Sequence, residues 1–532
     1  MPDKNTLETA CPSCRAILGQ DAWSQVCARY LLDSPDDFPD FLDQLETLPP
    51  GLAFIPDLAR LELAVARIAE CIPAEPVGSH DVNTCLELLD LDWSGLCSLV
   101  KNRNREKTSP PRNIKEKVLV WKQGDEILFR PATANDLLAL KLVLENINIS
   151  EAAKIANRPS SYIWPVINEA RRNGILVGEK TRIARDPEVF EVKSHLAPKY
   201  QQADVFTLQW HITQACDLNC KHCYGRESRN HLDLDSALRI LDEFQHFCKN
   251  KNVHGQVSLT GGNPLLHPDL ETIHAAASGM GFTVGILGNP TSEDQLKKLL
   301  KKGPISFFQV SLEGQEEHND YIRGQGHYKK VLGFLDVLKK LDIYSMVMLT
   351  LTRANAGQVL CLAREIQDRA DLFTFNRLSM VGSGAHLTPA GQDEFNELLA
   401  DYQEQARTMS VMGFKDNLLN LFRFRHGRQL FGGCTGYGCG AAFNFVSVLC
   451  DGEVHACRKF PSRLGSIYDN SLEQIYDSQV AAKYRKGSKG CVGCAIRHVC
   501  GGCLAVTYSH GLDIFQDRDP YCWMNQSQEK FR

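Results

Sequence analysis

Cys216, Cys220 and Cys223 stand at CxxxCxxC spacing in the stretch Cys216-Asp217-Leu218-Asn219-Cys220-Lys221-His222-Cys223. Three thiolates on one tight loop can hold three corners of a [4Fe–4S] cluster while the fourth iron keeps no protein ligand. An open iron suits catalysis, by the logic that separates open catalytic metal sites from closed structural ones. Zinc would want four ligands, commonly two separated CxxC pairs, and this is one asymmetric triplet. A second constellation lies further on: Cys434, Cys439, Gly452 and Cys457, then Cys491-x2-Cys494-x5-Cys500-x2-Cys503, then Cys522. Eight such thiols can close around two iron–sulfur clusters or make a pair of zinc ribbons. Cys450 falls among them without an assigned role.

The chain has 532 residues, twenty of them Cys, with 43% hydrophobic and 23% charged residues. That length predicts three or four domains, and the composition excludes wholesale disorder, collagen and coiled coil. Fifty-nine basic against 64 acidic residues leave a net charge of −5, which gives no global footprint for nucleic acid. No apolar run approaches the roughly 20 residues that span a bilayer. Met1 to Thr6 lacks an apolar signal core. The expectation is a cytoplasmic protein with no nucleic-acid and no membrane partner. In that compartment thiols stay reduced and a disulfide framework is not expected. Metal or iron–sulfur ligation then explains the cysteines best.

These residues need a scaffold. From about 205 to 380, β-rich apolar runs alternate with amphipathic helical segments. Runs over 205–213, 257–260, 282–287, 307–312, 346–351 and 372–378 make six strands. Six strand–helix units predict an α/β fold, a partial (β/α)6 TIM-like barrel with its active site at the C-terminal strand ends. The cysteine triplet follows the first run and Thr260-Gly261-Gly262-Asn263-Pro264 the second. Gly288-Asn289 follows the third, Ser311 and Glu313 end the fourth, and Asn355 follows the fifth. Each of these, taken alone, reads equally as a turn or cap.

The triplet in this setting resembles the signature of the radical S-adenosylmethionine (SAM) enzymes, over roughly residues 205–380. The resemblance implies that the open iron chelates the amino and carboxylate groups of SAM. Reductive cleavage then gives methionine and a 5′-deoxyadenosyl radical that abstracts a substrate hydrogen. It also implies catalytic roles for Cys216, Cys220 and Cys223, and an external electron donor such as flavodoxin or ferredoxin. Gly261, Gly262 and Asn263 match the family's Gly-Gly-Glu-Pro loop, which contacts the SAM amino group. The glycines would let that backbone approach the ligand closely. Asn263 replaces the family's Glu, so an amide oxygen accepts from the ammonium without an ion pair. Ser311 and Glu313 match positions that face the ribose hydroxyls, and His222 stands where an aromatic ring is usual.

The later constellation resembles the SPASM extension of radical SAM peptide and protein maturases. This implies two auxiliary [4Fe–4S] clusters, one on Cys434, Cys439, Cys457 and Cys503, the other on Cys491, Cys494, Cys500 and Cys522. Both would be fully protein-ligated, which suits electron transfer or structural support. Three clusters make about 12 iron per chain. The usual gap before the cysteine at 503 is three residues, and here Gly501-Gly502 makes it two, which puts Cys503 in question.

Residues 1–100 read as a helical domain, with Leu58, Leu61, Val65 and Ile68 at helical spacing. Residues 101–117 read as a basic, proline-interrupted linker. Residues 118–182 read as a winged helix: two short strands around Gln123-Gly124-Asp125, then three helices. The first helix runs through Leu137, Leu138, Leu142 and Leu144, the second starts at Ile149, and the third spans 162–172. Such a module can bind DNA, with Arg171-Arg172 meeting phosphates. It equally resembles PqqD-like elements that hold a precursor-peptide leader by adding a strand to an edge. The stretch Phe54 to Glu62 resembles the helical domain of helper proteins in methanobactin-type biosynthesis. The barrel at 200–400 and the SPASM-type domain at 401–532 complete the organisation.

The whole arrangement resembles radical SAM/SPASM maturases of ribosomally made peptides, and most of all the selenobiotic, thio(seleno)oxazole (SbtM-like) subgroup. It implies a precursor peptide whose leader binds residues 118–182. Hydrogen abstraction at Cys-containing sites would then form a thioether or heterocycle-type linkage. Two other classes stand beside it: an iron–sulfur DNA-binding sensor, and a maturase of a folded enzyme, as sulfatase-activating relatives are.

Overall fold

The computed structural model describes residues 4–30, 34–45, 48, 51–74, 81–101, 110–147, 151–152, 160–178, 181–191, 200–225 and 232–524. It divides into two compact units, residues 1–156 with 162–179, and residues 157–161 with 180–532.

In the first unit, helix Ile55–Glu70 is central. Pro56 sits in its first turn, where a missing N–H costs nothing, and Leu58, Leu61 and Ile68 are buried along one face. Trp23 and Phe38, from neighbouring helices, complete that core. The strands are β1 (Asp81–Val82), β2 (Leu86–Leu91), β3 (Glu116–Gln123), β4 (Glu126–Pro131) and β5 (Leu176–Val177). β2, β3 and β4 form an antiparallel sheet in that order, and β1 pairs with β5.

Successive side chains of a strand point to opposite faces. On β3, Val118 and Val120 therefore join the helical core, while Leu119 and Trp121 join a second core with helices Ala134–Leu144 and Ser160–Arg172. The expected division at 101–117 is thereby corrected: β2, before it, pairs with β3, which begins at its end, from Leu86↔Trp121 to Leu91↔Glu116. A strand with two apolar faces needs cover on both, whatever the charge of the chain between. Helix Ala134–Leu144 buries Ala139, Leu140 and Leu142 and leaves Leu144 exposed, a face shifted from the expected one. The helix expected from Ile149 lies outside the described residues except for Glu151 and Ala152. The expectation that thiols stay reduced is also corrected. The end of helix Ile55–Glu70 and the start of β2 bring Cys71 and Cys85 to a Cα–Cα distance of 5.6 Å, and they form a disulfide.

In the second unit, β6 (Val205–Thr213), β7 (His254–Gly261), β8 (Thr283–Leu287), β9 (Phe307–Ser311), β10 (Ser345–Leu351) and β11 (Leu372–Arg377) lie side by side, all parallel. They are the six runs expected from sequence, in chain order. Beyond β6 the sheet continues through β12 (Phe445–Val448), parallel to it, and then antiparallel β13 (Glu453–His455) and β14 (Arg463–Ser466). One nine-stranded mixed sheet thus crosses the boundary expected near residue 400. The edge of β6 would otherwise expose unpaired backbone groups, and β12 satisfies them. Trp210, Phe206, Phe244, Phe308 and Phe375 fill the core around this sheet. Among the described residues no helix is long and apolar enough to cross a membrane.

Candidate active site

The residues singled out on strands β6 to β10 all gather at one end of the sheet, where parallel strands release their loops. The loop after β7 packs on the backbone that leads into Cys216. Gly262 N–H donates to the Thr213 carbonyl (2.8 Å) and Asn263 N–H to the Ala215 carbonyl (2.7 Å). A Cβ at Gly261 would lie 2.1 Å from the Thr213 oxygen, and one at Gly262 2.2 Å from that of Ala215. The glycine pair is therefore required by this close backbone contact, which differs from the approach to a ligand expected from sequence.

Asn263 is buried, and its side chain is engaged within the protein. Its Oδ1 accepts from the N–H groups of Leu265 (3.3 Å) and Asn289 (3.4 Å), and its Nδ2 donates to Asp217 Oδ1 (2.9 Å). Asn289 Nδ2 donates to the same oxygen (2.6 Å) and lies 3.7 Å from Cys216 Sγ. Two amides thus fix a carboxylate, Asp217, inside the cysteine loop itself.

Glu313 follows β9 and is 1% exposed. Its Oε1 accepts from Arg323 Nε (2.8 Å) and Nη2 (2.6 Å), and its Oε2 from Thr350 N–H (2.8 Å). Arg323 Nη1 lies 3.7 Å from Cys220 Sγ, and His222 Nε2 lies 3.5 Å from Glu313 Oε1. Burial pushes the Glu313 pKa up, but His222 and Arg323 outweigh it and hold the carboxyl below its usual range. Both oxygens that the sequence assigned to a ribose have protein partners here. Asn355 Nδ2 donates to the carbonyls of Glu313 (2.8 Å) and Thr350 (2.9 Å), fastening the ends of β9 and β10. Ser311 is half-buried on β9, opposite Met348 of β10.

Cys216 is exposed, and Cys220 and Cys223 are half-buried. Burial pushes the Cys220 pKa up, Arg323 pulls it down, and Cys216 and Cys223 push it up again, as three thiols sharing one loop must. The later cysteines fall into two groups by the same test. Burial drives Cys439 up to about 12, with Cys503, Cys457 and Cys434 adding to it. Cys500 is raised by burial and then by Cys491, Cys522 and Cys494. Among the described residues no three His, Cys, Asp or Glu side chains converge on a point for a single metal ion.

Cys503 enters its group because Gly501 and Gly502 are both left-handed, at φ +66° and +67°, which curls the shortened gap. Asp519 Oδ2 accepts from Cys503 N–H (2.9 Å), and Asp519 receives two hydrogen bonds from Arg377 (2.7 and 2.8 Å). Arg377 ends β11 and also donates to Asp416 (2.8 Å), so a buried ion cluster ties the sheet to the cysteine loop. Cys450 is buried beside the turn between β12 and β13. An open loop of three thiols and two groups of four, half-buried apart from the buried Cys500, are donor sets that fit [4Fe–4S] clusters.

Residues 210–359 match the family model of the radical SAM superfamily, and residues 439–503 that of an iron–sulfur cluster-binding domain, SPASM. The chain carries a radical SAM domain and a SPASM domain. It is an enzyme, and [4Fe–4S] clusters and SAM are its cofactors. An AdoMet-dependent heme synthase of Methanosarcina barkeri is 26% identical over 340 residues, 59% of this chain and 95% of the relative. The antilisterial bacteriocin subtilosin biosynthesis protein AlbA of Bacillus subtilis is 24% identical over 57% of this chain and 67% of its own. The crystal structure of Streptococcus suis SuiB bound to precursor peptide SuiA is 16% identical, with a TM-score of 0.49, over 77% of this chain and 97% of that one.

Within the radical SAM domain, the sequence reading missed Asp217 and Arg323. Asp217 sits inside the motif and was legible as a carboxylate next to Cys216. Arg323 is about a hundred residues from Cys220 and carries no motif, so only the fold brings it there. Asp519, beyond the residues that match SPASM, was missed because it too carries no motif and only the fold brings it to Cys503.

Proposed function

We propose that the protein is a maturase of a ribosomally made precursor peptide. The observation that carries this reading is the first unit. The heme synthase is matched over 95% of its length by 59% of this chain, so about two-fifths of this chain has no counterpart in it. Within the first unit, β4 is the last strand of its sheet, and among the described residues no strand pairs with its outer edge. An open edge is what an extended leader peptide needs in order to add a strand. We assign that role to residues 118–182, a PqqD-like element. The similarity to a bacteriocin biosynthesis protein supports the same class of substrate.

When bound, SAM and its cluster supply a 5′-deoxyadenosyl radical for hydrogen abstraction from the substrate. Cys216, Cys220 and Cys223 hold that cluster, with Asn289 beside the first sulfur and Arg323 beside the second. Gly261, Gly262, Asn263, Ser311 and Glu313 belong to the strand ends that face SAM, and Asp217 supplies the carboxylate that Asn263 lacks. Cys434, Cys439, Cys457 and Cys503 hold one auxiliary cluster, and Cys491, Cys494, Cys500 and Cys522 the other. These give electrons a route out of an oxidised product. The bond formed is a thioether or a heterocycle-type linkage at Cys, with a thio(seleno)oxazole as its narrowest form. A flavodoxin or ferredoxin provides the reducing electron.

The test is anaerobic incubation of reconstituted enzyme, SAM and reductant with a Cys-containing precursor peptide. Loss of about 2 Da from the peptide, with one 5′-deoxyadenosine formed per event, supports the proposal. Unchanged mass with solvent deuterium incorporated would replace linkage formation by epimerisation. Turnover of an iron porphyrin and not of any peptide would place the protein with the heme synthase instead.

A further inference from the structure

A cavity in the second unit joins the two four-thiol groups. Cys439 of one group and Cys491 of the other both line it, together with Arg185, Arg485, Lys486 and Arg497. Arg185 and Arg497 are buried, at 7% and 6% exposure. Both guanidinium groups pack on the ring of Phe190, at 4.6 and 4.7 Å from its centre, and Arg185 lies 3.8 Å from the ring of Phe443. Their N–H groups go to backbone carbonyls. Arg185 donates to Tyr437 (2.6 Å), Cys439 (3.0 Å) and Arg485 (3.2 Å), and Arg497 to Lys486 (2.6 Å) and Val189 (3.1 Å).

What is missing from this cluster is negative charge. Among the described residues neither guanidinium is paired with a carboxylate, and Arg185 Nε is buried with no hydrogen-bond partner. Asp186 lies 3.8 Å from Lys486 and accepts from Glu188 N–H (3.0 Å), and among the described residues it makes no ion pair with either arginine. A buried cation without a counter-charge is strongly unfavourable. The anions placed to neutralise these cations are the thiolate-ligated clusters: Arg185 donates to the carbonyl of Cys439 itself, and Arg497 shares the cavity wall with Cys491. Each cluster is net negative and becomes one unit more negative when it takes an electron.

We propose that Arg185 and Arg497 form a cationic bridge between the two auxiliary clusters that stabilises the reduced form of both. They are positioning residues that act on the clusters through the field, not through ligation. The step they assist is one-electron reduction of a cluster, by the substrate-derived radical in turnover and by titanium(III) in the test. The inference rests on the reading that both four-thiol groups hold [4Fe–4S] clusters.

The full-length protein is reconstituted anaerobically as wild type, Arg185→Met, Arg497→Met and Arg185→Lys. Iron is counted, and the auxiliary clusters are titrated with titanium(III) citrate by electron paramagnetic resonance. With full iron, each Met variant is expected to lower the reduced-to-oxidised ratio at a fixed potential about tenfold, equal to about 59 mV for a one-electron couple. Arg185→Lys keeps the charge and the wild-type ratio. Met variants that bind full iron and titrate as wild type overturn the bridge. Should Arg185→Met lose its iron, Arg497→Met reads the same shift from the cavity wall it shares with Cys491. A wild-type protein that binds iron for only the open cluster defeats the cluster reading instead, and iron counting tells the two failures apart.

Discussion

Glu313→Gln separates two roles for one carboxylate. Glu313 is 1% exposed by side chain and Arg323 10%, and three hydrogen bonds of 2.6–2.8 Å converge on the Glu313 oxygens. The substitution keeps the volume but leaves one acceptor oxygen to face donors from both Arg323 and Thr350. Arg323 loses its carboxylate and retains the Cys220 sulfur, at 3.7 Å, and His222 Nε2, at 3.4 Å, as partners. Removing one member of a buried ion pair costs about 3–5 kcal/mol. At about 2 °C per kcal/mol for a unit of this size, the second unit should melt about 6–10 °C lower. Calorimetry of the reconstituted protein reads the melting, and SAM cleavage is followed in parallel. A double-mutant cycle with Arg323→Met should show a coupling above about 1 kcal/mol, because the pair is lost only once. Unchanged melting with a raised KM for SAM would refute the ion-pair account and return Glu313 to a ribose contact. The pH dependence has a fixed sign. The folded pKa lies below the unfolded value, so this contribution is present above the ordinary carboxylate range and fades as pH falls through the folded pKa.

Gly262→Ala puts a methyl group 2.2 Å from the Ala215 oxygen, so the cysteine loop must shift. Iron should fall from about 12 to about 8 per chain with the auxiliary clusters kept. Cys503→Ser should also cost about four iron, while Cys450→Ser should cost none; the reverse pattern by iron analysis would exchange their roles. Burial lowers the pKa of His254 to about 3 and that of His274 and His327 to about 4. Each imidazole then stabilises the fold fully only above its unfolded pKa of about 6.5, and at pH 5 each has lost about 2 kcal/mol. Melting temperatures at pH 7 and pH 5 that coincide would contradict this.

The cysteine motifs and the six apolar runs are local features, and both were legible in the chain. Hydrophobic periodicity depends only on neighbours within a strand or a helical turn, and ligand spacing within one loop is set by chain geometry. Leu58, Leu61 and Ile68 were legible as a buried face for that reason.

What crosses long separations was not. Pairing of β2 with β3 across the basic stretch, and of β12 with β6, depends on which edges are left open after folding, and composition does not record that. The six early cysteines looked like an unexplained excess. Cys71 and Cys85 meet only once a helix end is packed beside a strand. Cys11 and Cys14 are buried in the helical core, where Glu62 accepts the Cys14 N–H at 3.0 Å.

The sequence by itself therefore determined the donor atoms, their spacing and the order of the strands that carry them. Only the tertiary structure decided the electrostatic surroundings of those donors: Arg323 at Cys220, Asp519 behind Cys503, and Arg185 and Arg497 between the two cysteine groups. The physical reason is range. Ligand spacing is covalent and local, whereas a charge acts through space, and the fold alone fixes which charges are close and how little water lies between them.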